Sequence, residues 1–316
     1  MARISIIGGG VIGLTVAHEL ATHGHDVTVV AARDHRASVS SVAAAIWFPH
    51  AVTETPRILA SAELTFHRLA ELARDPSTGV RLREGTVLAR QPDPDLSWTG
   101  MVPGCRPAEE PLPPGATGIR CSVPLAVTDL YLAWLHNRVD ALGVRFEIRT
   151  IRDLAEVPDC DAVVVAAGLG SASLLGGDPE VYPIRGQVVR VANPGLTDWL
   201  LDDDNPAGLT YVVPRDTDVV CGGTGEVNSW DETPRADIEA AILQRATALV
   251  PALADQPILS RAAGLRPART TVRLELLPDH ARPVIACYGH GGSGFTLSWG
   301  EATEVTRLIN ARTGTP

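Results

Sequence analysis

The chain contains no lysine, and all 27 of its basic residues are arginine. Chemistry that needs a lysine is therefore excluded: a pyridoxal Schiff base, a P-loop or a lysine general base. Five cysteines are scattered along the chain without a Cys-x-x-Cys pair, which argues against a disulfide framework or a zinc knuckle. We therefore expect no metal site.

A net positive charge and a long apolar run are also lacking. The formal net charge of −10 argues against a nucleic-acid partner. No run approaches the length of a membrane-spanning helix, and no signal peptide precedes the first motif. With 45% apolar residues, the 316-residue chain can bury a sizeable core. We expect a cytoplasmic protein of about two domains that binds neither nucleic acid nor membrane.

The N-terminal segment has the order strand, glycine-rich turn, helix, strand. Arg3–Ile7 and residues 27–30 are short apolar runs typical of buried strands, and an amphipathic helix between them ends near Thr22. The turn carries Gly-x-Gly-x-x-Gly, formed by Gly8, Gly10 and Gly13. In this context the motif predicts dinucleotide binding, with the pyrophosphate at the helix N-terminus.

The acid that usually holds the adenosine ribose is missing after the second strand. The expected position is occupied by Ala32, followed by Arg33 and Asp34. Arg33 is compatible with stacking on adenine or, in a rival interpretation, with holding the 2′-phosphate of NADP. Asp34 is either a displaced ribose ligand or a surface turn residue, and the sequence leaves these alternatives open.

Further apolar patterns complete a predicted α/β fold. Helices are predicted at 63–72, 130–142, 234–250 and 295–310, and strands at 80–89, 144–148, 161–167, 187–191, 209–214, 219–223 and 284–288. The strands from 186 onward suggest an antiparallel sheet inserted into a parallel nucleotide-binding sheet. We predict a nucleotide-binding domain formed by 1–60, 130–185 and 265–316, and a substrate-binding domain formed by 61–129 and 186–264.

A second glycine-rich turn opens the last predicted helix. Residues 288–300 read Tyr-Gly-His-Gly-Gly-Ser-Gly-Phe-Thr-Leu-Ser-Trp-Gly. So many glycines at a helix start suggest a backbone that lies against a flat ligand. The positive end of the helix dipole would stabilise the anionic form of a reduced flavin.

These motifs together resemble the D-amino-acid oxidase family, flavoenzymes that also include D-aspartate oxidases. The match runs nearly end to end. Besides the two glycine turns it includes Val-Ala-Ala-Ala-Ile-Trp-Phe-Pro-His at 42–50, Tyr-Leu-Ala-Trp-Leu at 131–135, Ala-Ala-Gly at 166–168, Arg-Gly-Gln at 185–187, Leu-Thr-Tyr at 209–211 and Gly-Leu-Arg-Pro-Ala-Arg at 264–269. The resemblance implies a Rossmann-type FAD-binding domain, non-covalent FAD, and oxidation of D-amino acids with O2 reduced to H2O2.

The resemblance also implies roles for individual residues. Arg266 and Tyr211 match the side chains that bind the substrate carboxylate, and Gly292 matches the backbone carbonyl that receives the substrate amine. No protein acid or base is implied, since the cofactor carries the chemistry. Cofactor contacts are implied for Gly8, Gly10, Val11, Ile12, Gly13, Arg33, Ser40, Ala44, Ala45, Ile46, Gly168, Gly291, Gly292, Gly294, Phe295 and Thr296.

The side-chain preference of the substrate is less well determined. His50 and the context of Tyr211 are similar to D-aspartate oxidases, but Asp202, Asp203, Asp204 and Glu226 would repel an acidic side chain unless they are solvated and distant. We expect neutral, apolar D-amino acids, with Ile46 and Phe48 as pocket walls. The alternatives are D-aspartate or glycine oxidation, an NADP-dependent reductase, or a cofactor-binding scaffold. A homodimer is expected from the family alone.

Overall fold

The computed structural model describes residues 1–50, 53–109 and 111–313. Its helices are α1 (Val11–Thr22), α2 (Val39–Val42), α3 (Pro56–Leu72), α4 (Thr128–Ala141), α5 (Gly170–Leu174), α6 (Ala236–Leu249) and α7 (Gly294–Thr313). Its strands are β1 (Arg3–Ile7), β2 (Asp26–Ala31), β3 (Val80–Ala89), β4 (Arg106–Pro107), β5 (Thr117–Ala126), β6 (Arg145–Ile148), β7 (Ala162–Val165), β8 (Tyr182–Ala192), β9 (Trp199–Asp202), β10 (Thr210–Pro214), β11 (Asp218–Gly222), β12 (Glu226–Val227), β13 (Ile258–Leu277) and β14 (Val284–His290). No helix in these ranges is long and apolar enough to span a membrane.

One half of the fold is a parallel sheet with the strand order β14-β7-β1-β2-β6. Its inner strands β7 and β1 are apolar at successive positions because both faces of the sheet are buried there, whereas the edge strand β6 is partly exposed. Ile6 and Val29 point into the main core with α1 and α7, whereas Ile7 and Val30 belong to a second cluster on the opposite face. The two helices pack against each other on the main-core side, which places both helix starts near the carboxyl ends of the strands.

The other half is mainly antiparallel. Strands β8, β11, β10 and β9 pair antiparallel in that order, β9 pairs parallel with β3, and β5 and β4 complete the edge. Ile242 and Ala246 of α6 cover one face, where they pack with Val189 and Val212. This half contributes the second wall of the site described below.

The long strand β13 connects the two halves. Its first part, from Ile258 to Ala268, pairs with β8, and its last part, from Arg273 to Leu277, pairs with β14, with a register irregularity between them. The predicted α/β class with an antiparallel addition is confirmed, and the strands form one connected sheet, in which β12 branches off at β8. The domain division stays a prediction; its limits at 129/130, 185/186 and 264/265 lie within α4, β8 and β13.

Helix α3 begins earlier than the sequence pattern indicated. The prediction began at residue 63, but the helix starts at Pro56. Thr55 is its N-cap and accepts a hydrogen bond from the backbone N–H of Ile58 at 3.3 Å, and proline at the first helical position is favourable. The Thr-Pro pair was therefore the missed start signal.

Candidate active site

A cavity of about 970 Å³ lies where the two halves of the fold meet. Its walls on the parallel side are the residues that follow β1, β2 and β7, together with the glycine-rich turn between β14 and α7. Its walls on the antiparallel side include Gly186, Leu201, Tyr211 and Arg266. Ligands of open α/β sheets bind at the carboxyl ends of the strands, so the location fits a nucleotide site.

The N-terminal glycine turn forms one end of this cavity. A Cβ at Gly8, whose φ is +123°, would overlap the carbonyl oxygen of Ala166, and a Cβ at Gly13 would overlap the carbonyl oxygen of Gly8. Gly8, Gly10, Val11 and Ile12 line the cavity, whereas Gly13 serves the close packing of helix on strand. The N-cap residue of α1, Gly10, has no side chain to cap the helix, and the first turn contains no acidic residue, an arrangement that suits a phosphate.

The segment after β2 resolves the role of Asp34. Its carboxylate accepts a hydrogen bond from the backbone N–H of Arg36 at 2.9 Å, which also lowers the pKa of Asp34. Asp34 thus supports its own turn, and it does not line the cavity. Arg33 lines the cavity, and its Nη1 lies 3.9 Å from Oε1 of Glu232. Glu232 lies in no motif of the sequence.

A short segment from Ala44 to Ile46 forms the wall between the two ends. Strand β5 fixes it, because the N–H of Ala126 donates to the carbonyl of Ala45 at 2.9 Å and the N–H of Trp47 donates to Pro124 at 2.8 Å. Ala45 has a φ of +57°, an uncommon conformation for a residue with a side chain. Ser40 lies nearby in the wall and accepts a 3.0 Å hydrogen bond from the N–H of Val11.

The C-terminal glycine turn forms the wall at the other end. Gly291, Gly292, Gly294 and Phe295 line the cavity, as does Gly168 after β7. Thr296 does not: its hydroxyl donates to the carbonyl of Phe48 at 2.9 Å and accepts from the N–H of the same residue at 3.2 Å. Its side chain thus fastens the neighbouring segment to α7.

Arg266 and Tyr211 lie together in the antiparallel wall. The Nη1 of Arg266 donates to the carbonyl of Thr224 at 2.8 Å, and the guanidinium lies against the backbone of Gly186. Burial raises the pKa of Tyr211, and the nearby positive charge of Arg266 opposes that shift. Among the described residues no carboxylate pairs with Arg266, which leaves its charge available to an anionic ligand.

The two arginines that follow Arg266 along β13 are already paired. Arg269 Nε lies 3.0 Å from Asp178 Oδ2, and Arg273 Nη1 lies 3.3 Å from the same oxygen. Arg269 also contacts Glu180, at 3.1 Å. Arg269 and Arg273 therefore differ from Arg266 in having carboxylate partners. Sequence spacing alone does not reveal this difference.

The acidic residues near the cavity are mostly neutralised. Asp202 is buried and paired with Arg90 at 2.7 Å, and Glu226 is paired with Arg185 and Arg235. Asp204 accepts from Gln91 and does not line the cavity. Of the four acids that the sequence suggested, only Asp203 lines the cavity, and it pairs with His50 at 2.8 Å.

A buried polar cluster lies beneath the C-terminal glycine turn. Three side-chain atoms that could ligate a metal ion, the sulfur of Cys287, a ring nitrogen of His290 and a carboxylate oxygen of Glu301, lie within 4.8 Å of one another. Glu301 Oε1 is also bound to Arg57 at 2.6 Å and to Ser61 at 3.0 Å. Burial alone would raise the pKa of Glu301, but these partners and His290 hold that pKa below its usual value. The carboxylate is therefore already engaged in an ion pair.

Comparison with known proteins identifies the family. A family model described as FAD dependent oxidoreductase matches residues 3–308. The chain is 45% identical to a D-amino-acid oxidase of Rubrobacter xylanophilus, over 98% of this chain and 97% of that protein. It is 39% identical to one of Streptomyces coelicolor (98% and 97% covered) and 33% identical to human D-aspartate oxidase (98% and 95% covered).

Solved structures support the same fold. Glycine oxidase of Geobacillus kaustophilus superposes with a TM-score of 0.82 at 23% identity, with 98% of this chain and 95% of that chain covered. Iminodiacetate oxidase of Chelativorans superposes with a TM-score of 0.81 at 20% identity, covering 99% and 96%. The cavity, its two glycine turns and these matches agree: the chain belongs to the FAD-dependent oxidoreductase family that includes the D-amino-acid oxidases, and its cofactor is FAD.

Proposed function

We propose that the protein catalyses the oxidative deamination of D-amino acids, with O2 as the electron acceptor and H2O2 as a product. The named activities of the two bacterial relatives support this reaction. The observation that carries it is Arg266, a cavity-lining arginine that pairs with no carboxylate of the described residues. An amino acid supplies the missing carboxylate, which a guanidinium binds with two parallel hydrogen bonds.

The cofactor is held between the two glycine turns. We assign the pyrophosphate to Gly8, Gly10, Val11 and Ile12, where the start of α1 offers backbone N–H groups. The isoalloxazine wall is formed by Ala44, Ala45, Ile46, Gly291, Gly292, Gly294 and Phe295, with Arg33, Ser40 and Gly168 completing the cavity. When bound, FAD supplies the acceptor for the hydrogen and electron pair that leave the substrate α-carbon.

The chain's own groups bind and orient the substrate. Arg266 binds the carboxylate, the Tyr211 hydroxyl donates a second hydrogen bond to it, and the backbone carbonyl of Gly292 accepts from the amine. These contacts fix two substituents of the α-carbon, the carboxylate and the amine. The D-enantiomer is selected when the apolar wall takes the side chain as the third substituent, because the α-hydrogen then faces the cofactor.

The proposed reaction needs no protein acid or base. The α-hydrogen leaves with both bonding electrons, and the neutral amine then loses a proton as the C=N bond of the imino acid forms. Water afterwards hydrolyses the imino acid to the 2-oxo acid and ammonia. O2 takes up the electron pair and two protons to give H2O2. The absence of lysine from the sequence is compatible with this scheme.

We propose neutral, apolar D-amino acids as the preferred substrates. Ile46, Phe48 and Leu201 line the substrate end of the cavity, where they offer apolar contact. Asp203 contributes negative charge, but its pairing with His50 weakens the field expected from the sequence. D-Aspartate oxidation is the second candidate, supported by the human relative, and it predicts that His50 donates a hydrogen bond to the second carboxylate of the substrate.

Assembly and location are also proposals. We propose a homodimer, as the family resemblance implies, and a cytoplasmic location. We also propose two domains, one formed by 1–60, 130–185 and 265–316 and the other by 61–129 and 186–264. Light scattering of the purified holoprotein gives the mass in solution, and limited proteolysis at the proposed limits tests the division.

The test is anaerobic mixing of the yellow holoprotein with D-alanine, L-alanine, D-aspartate or glycine, followed by admission of air. Bleaching by D-alanine but not L-alanine, with peroxide on re-aeration, is the expected result. Faster bleaching by D-aspartate would favour the second candidate. A yellow protein that none of the four reduces would contradict the proposed function.

A further inference from the structure

A strap formed by residues 228–233 reaches from the antiparallel half to the nucleotide end of the cavity. It follows β12, which pairs with β8, and two of its side chains, Trp230 and Glu232, line the cavity. Trp230 is 65% exposed, a large apolar surface at the cavity edge that a bound molecule would cover.

A buried arginine fixes the tip of the strap. Arg185 is fully buried, and its guanidinium donates to the carbonyl of Asp231 at 2.7 Å and to the carbonyl of Thr233 at 2.6 Å. The Asp231 carboxylate also accepts from the N–H of Thr233 at 2.8 Å. The residues on both sides of Glu232 are therefore held, and the position of its backbone is set by the protein core.

The same buried arginine is itself held by a polar network. Its Nη1 pairs with Glu226 at 2.7 Å, and its Nη2 donates to the side chain of Gln187 at 3.0 Å. Gln187 in turn donates to the carbonyl of Arg235 at 2.8 Å and accepts from its N–H at 2.9 Å. Burying so many polar groups is costly unless all are satisfied, so the network specifies one conformation of the strap.

The nucleotide end of the cavity lacks a ribose acceptor on its own strand. In dinucleotide-binding folds a carboxylate at the end of the second strand binds the ribose hydroxyls. Here β2 is followed by Ala32, and the carboxylate of Asp34 is bound to the backbone of its own turn. Glu232 presents a carboxylate to the same end of the cavity, with its Oε1 3.9 Å from Nη1 of Arg33.

We infer that Glu232 is the ribose-binding carboxylate of this protein, delivered by the strap from the opposite half of the fold. It accepts hydrogen bonds from the adenosine ribose hydroxyls, and Arg33 lies beside it at the same end of the cavity. A carboxylate at this point also disfavours a 2′-phosphate, which argues against NADP. The inference rests on the proposed placement of FAD in the cavity.

The test compares FAD with an FAD analogue that lacks the 2′- and 3′-hydroxyls of the adenosine ribose. The dissociation constant of each is measured from flavin fluorescence at equilibrium after dilution of the holoprotein. For Glu232→Ala we expect FAD binding to weaken by about 10- to 100-fold, the range for a hydrogen bond to a charged group. The analogue should bind the variant and the wild type equally well.

Glu63→Ala serves as the matched control, because Glu63 is an exposed glutamate on α3 that does not line the cavity. An unchanged FAD affinity in Glu232→Ala would overturn the inference. Equal weakening of FAD and analogue would also overturn it, since the strap would then act without touching the hydroxyls. The affinities are read without substrate, so they stay informative even if no D-amino acid reduces the flavin.

Discussion

Replacing Gly186 by alanine should impair substrate binding without unfolding the protein. A Cβ at this position would lie 2.5 Å from Cζ, Nη1 and Nη2 of Arg266, whereas ordinary contact begins at 3.4 Å. The guanidinium would have to move by roughly 1 Å, a misplacement that can reduce the rate about 100-fold. It is the free end of a long side chain, so it can move while β8 keeps its backbone. We therefore expect kcat/KM for D-alanine to fall by about two orders of magnitude.

The assay is anaerobic flavin reduction by D-alanine over a range of concentrations, with the melting temperature and the FAD dissociation constant measured in parallel. Gly100→Ala is the matched control, because a Cβ there meets no atom within 4 Å. Arg266→Lys keeps the charge and removes the planar fork, so it should show a similar loss. If Gly186→Ala reduced its flavin as the wild type does, Arg266 would not be the carboxylate-binding group.

Three further perturbations follow from the contacts. Tyr211→Phe should raise the KM for D-alanine by about 10- to 100-fold, the value of one hydrogen bond to a charged group, and an unchanged KM would remove Tyr211 from the site. Arg215→Met removes the arginine whose Nε lies 2.7 Å from the carboxylate of buried Asp218. Because an unpaired buried charge is costly, the free energy of unfolding measured in denaturant titrations should fall by about 3–5 kcal/mol. The double variant Arg215→Met/Asp218→Leu, which removes both charges, should lose less. Folding lowers the pKa of Glu301 below its ordinary value, so its ionised form stabilises the protein near neutral pH, and this contribution is lost as the pH falls through the lowered pKa. Glu301→Gln cannot ionise, so its melting temperature should fall less on acidification than that of the wild type.

The parallel half could be predicted from sequence because most of its strands, all but the edge strand β6, are largely buried. Such strands are continuous apolar runs, and the glycine turns between them fix where each begins and ends. Strand β13 shows the opposite case. Its residues alternate irregularly between buried and exposed, and it contains several arginines and Pro267. Its pairing with β8 and β14 depends on partners distant in sequence, which no local pattern reveals.

Some residues of the candidate site could likewise be predicted from the sequence, and others could not. Motif positions such as Gly8 and Arg266 were identified from the sequence, and the structure places both in the cavity wall. The hydrogen bonds and ion pairs of the residues around these positions could not be predicted from the sequence. Thr296 uses its hydroxyl on the backbone of Phe48, and Asp202 is buried against Arg90. Glu232 lacked any sequence signal, since it reaches the cavity only through a strap held by a buried arginine.

The proposed substrate contacts are linked through one backbone hydrogen bond. The N–H of Gly291 donates to the carbonyl of Pro267 at 2.8 Å. Arg266, assigned to the carboxylate, precedes one partner, and Gly292, assigned to the amine, follows the other. The distance between the Arg266 guanidinium and the Gly292 carbonyl therefore depends on this main-chain contact. Strand β13, which carries Arg266 and Pro267, pairs with both halves of the fold. Hydride transfer depends on holding the α-carbon in place. Substitutions that disturb this pairing should accordingly lower the rate of flavin reduction even where every side chain that touches the substrate is unchanged.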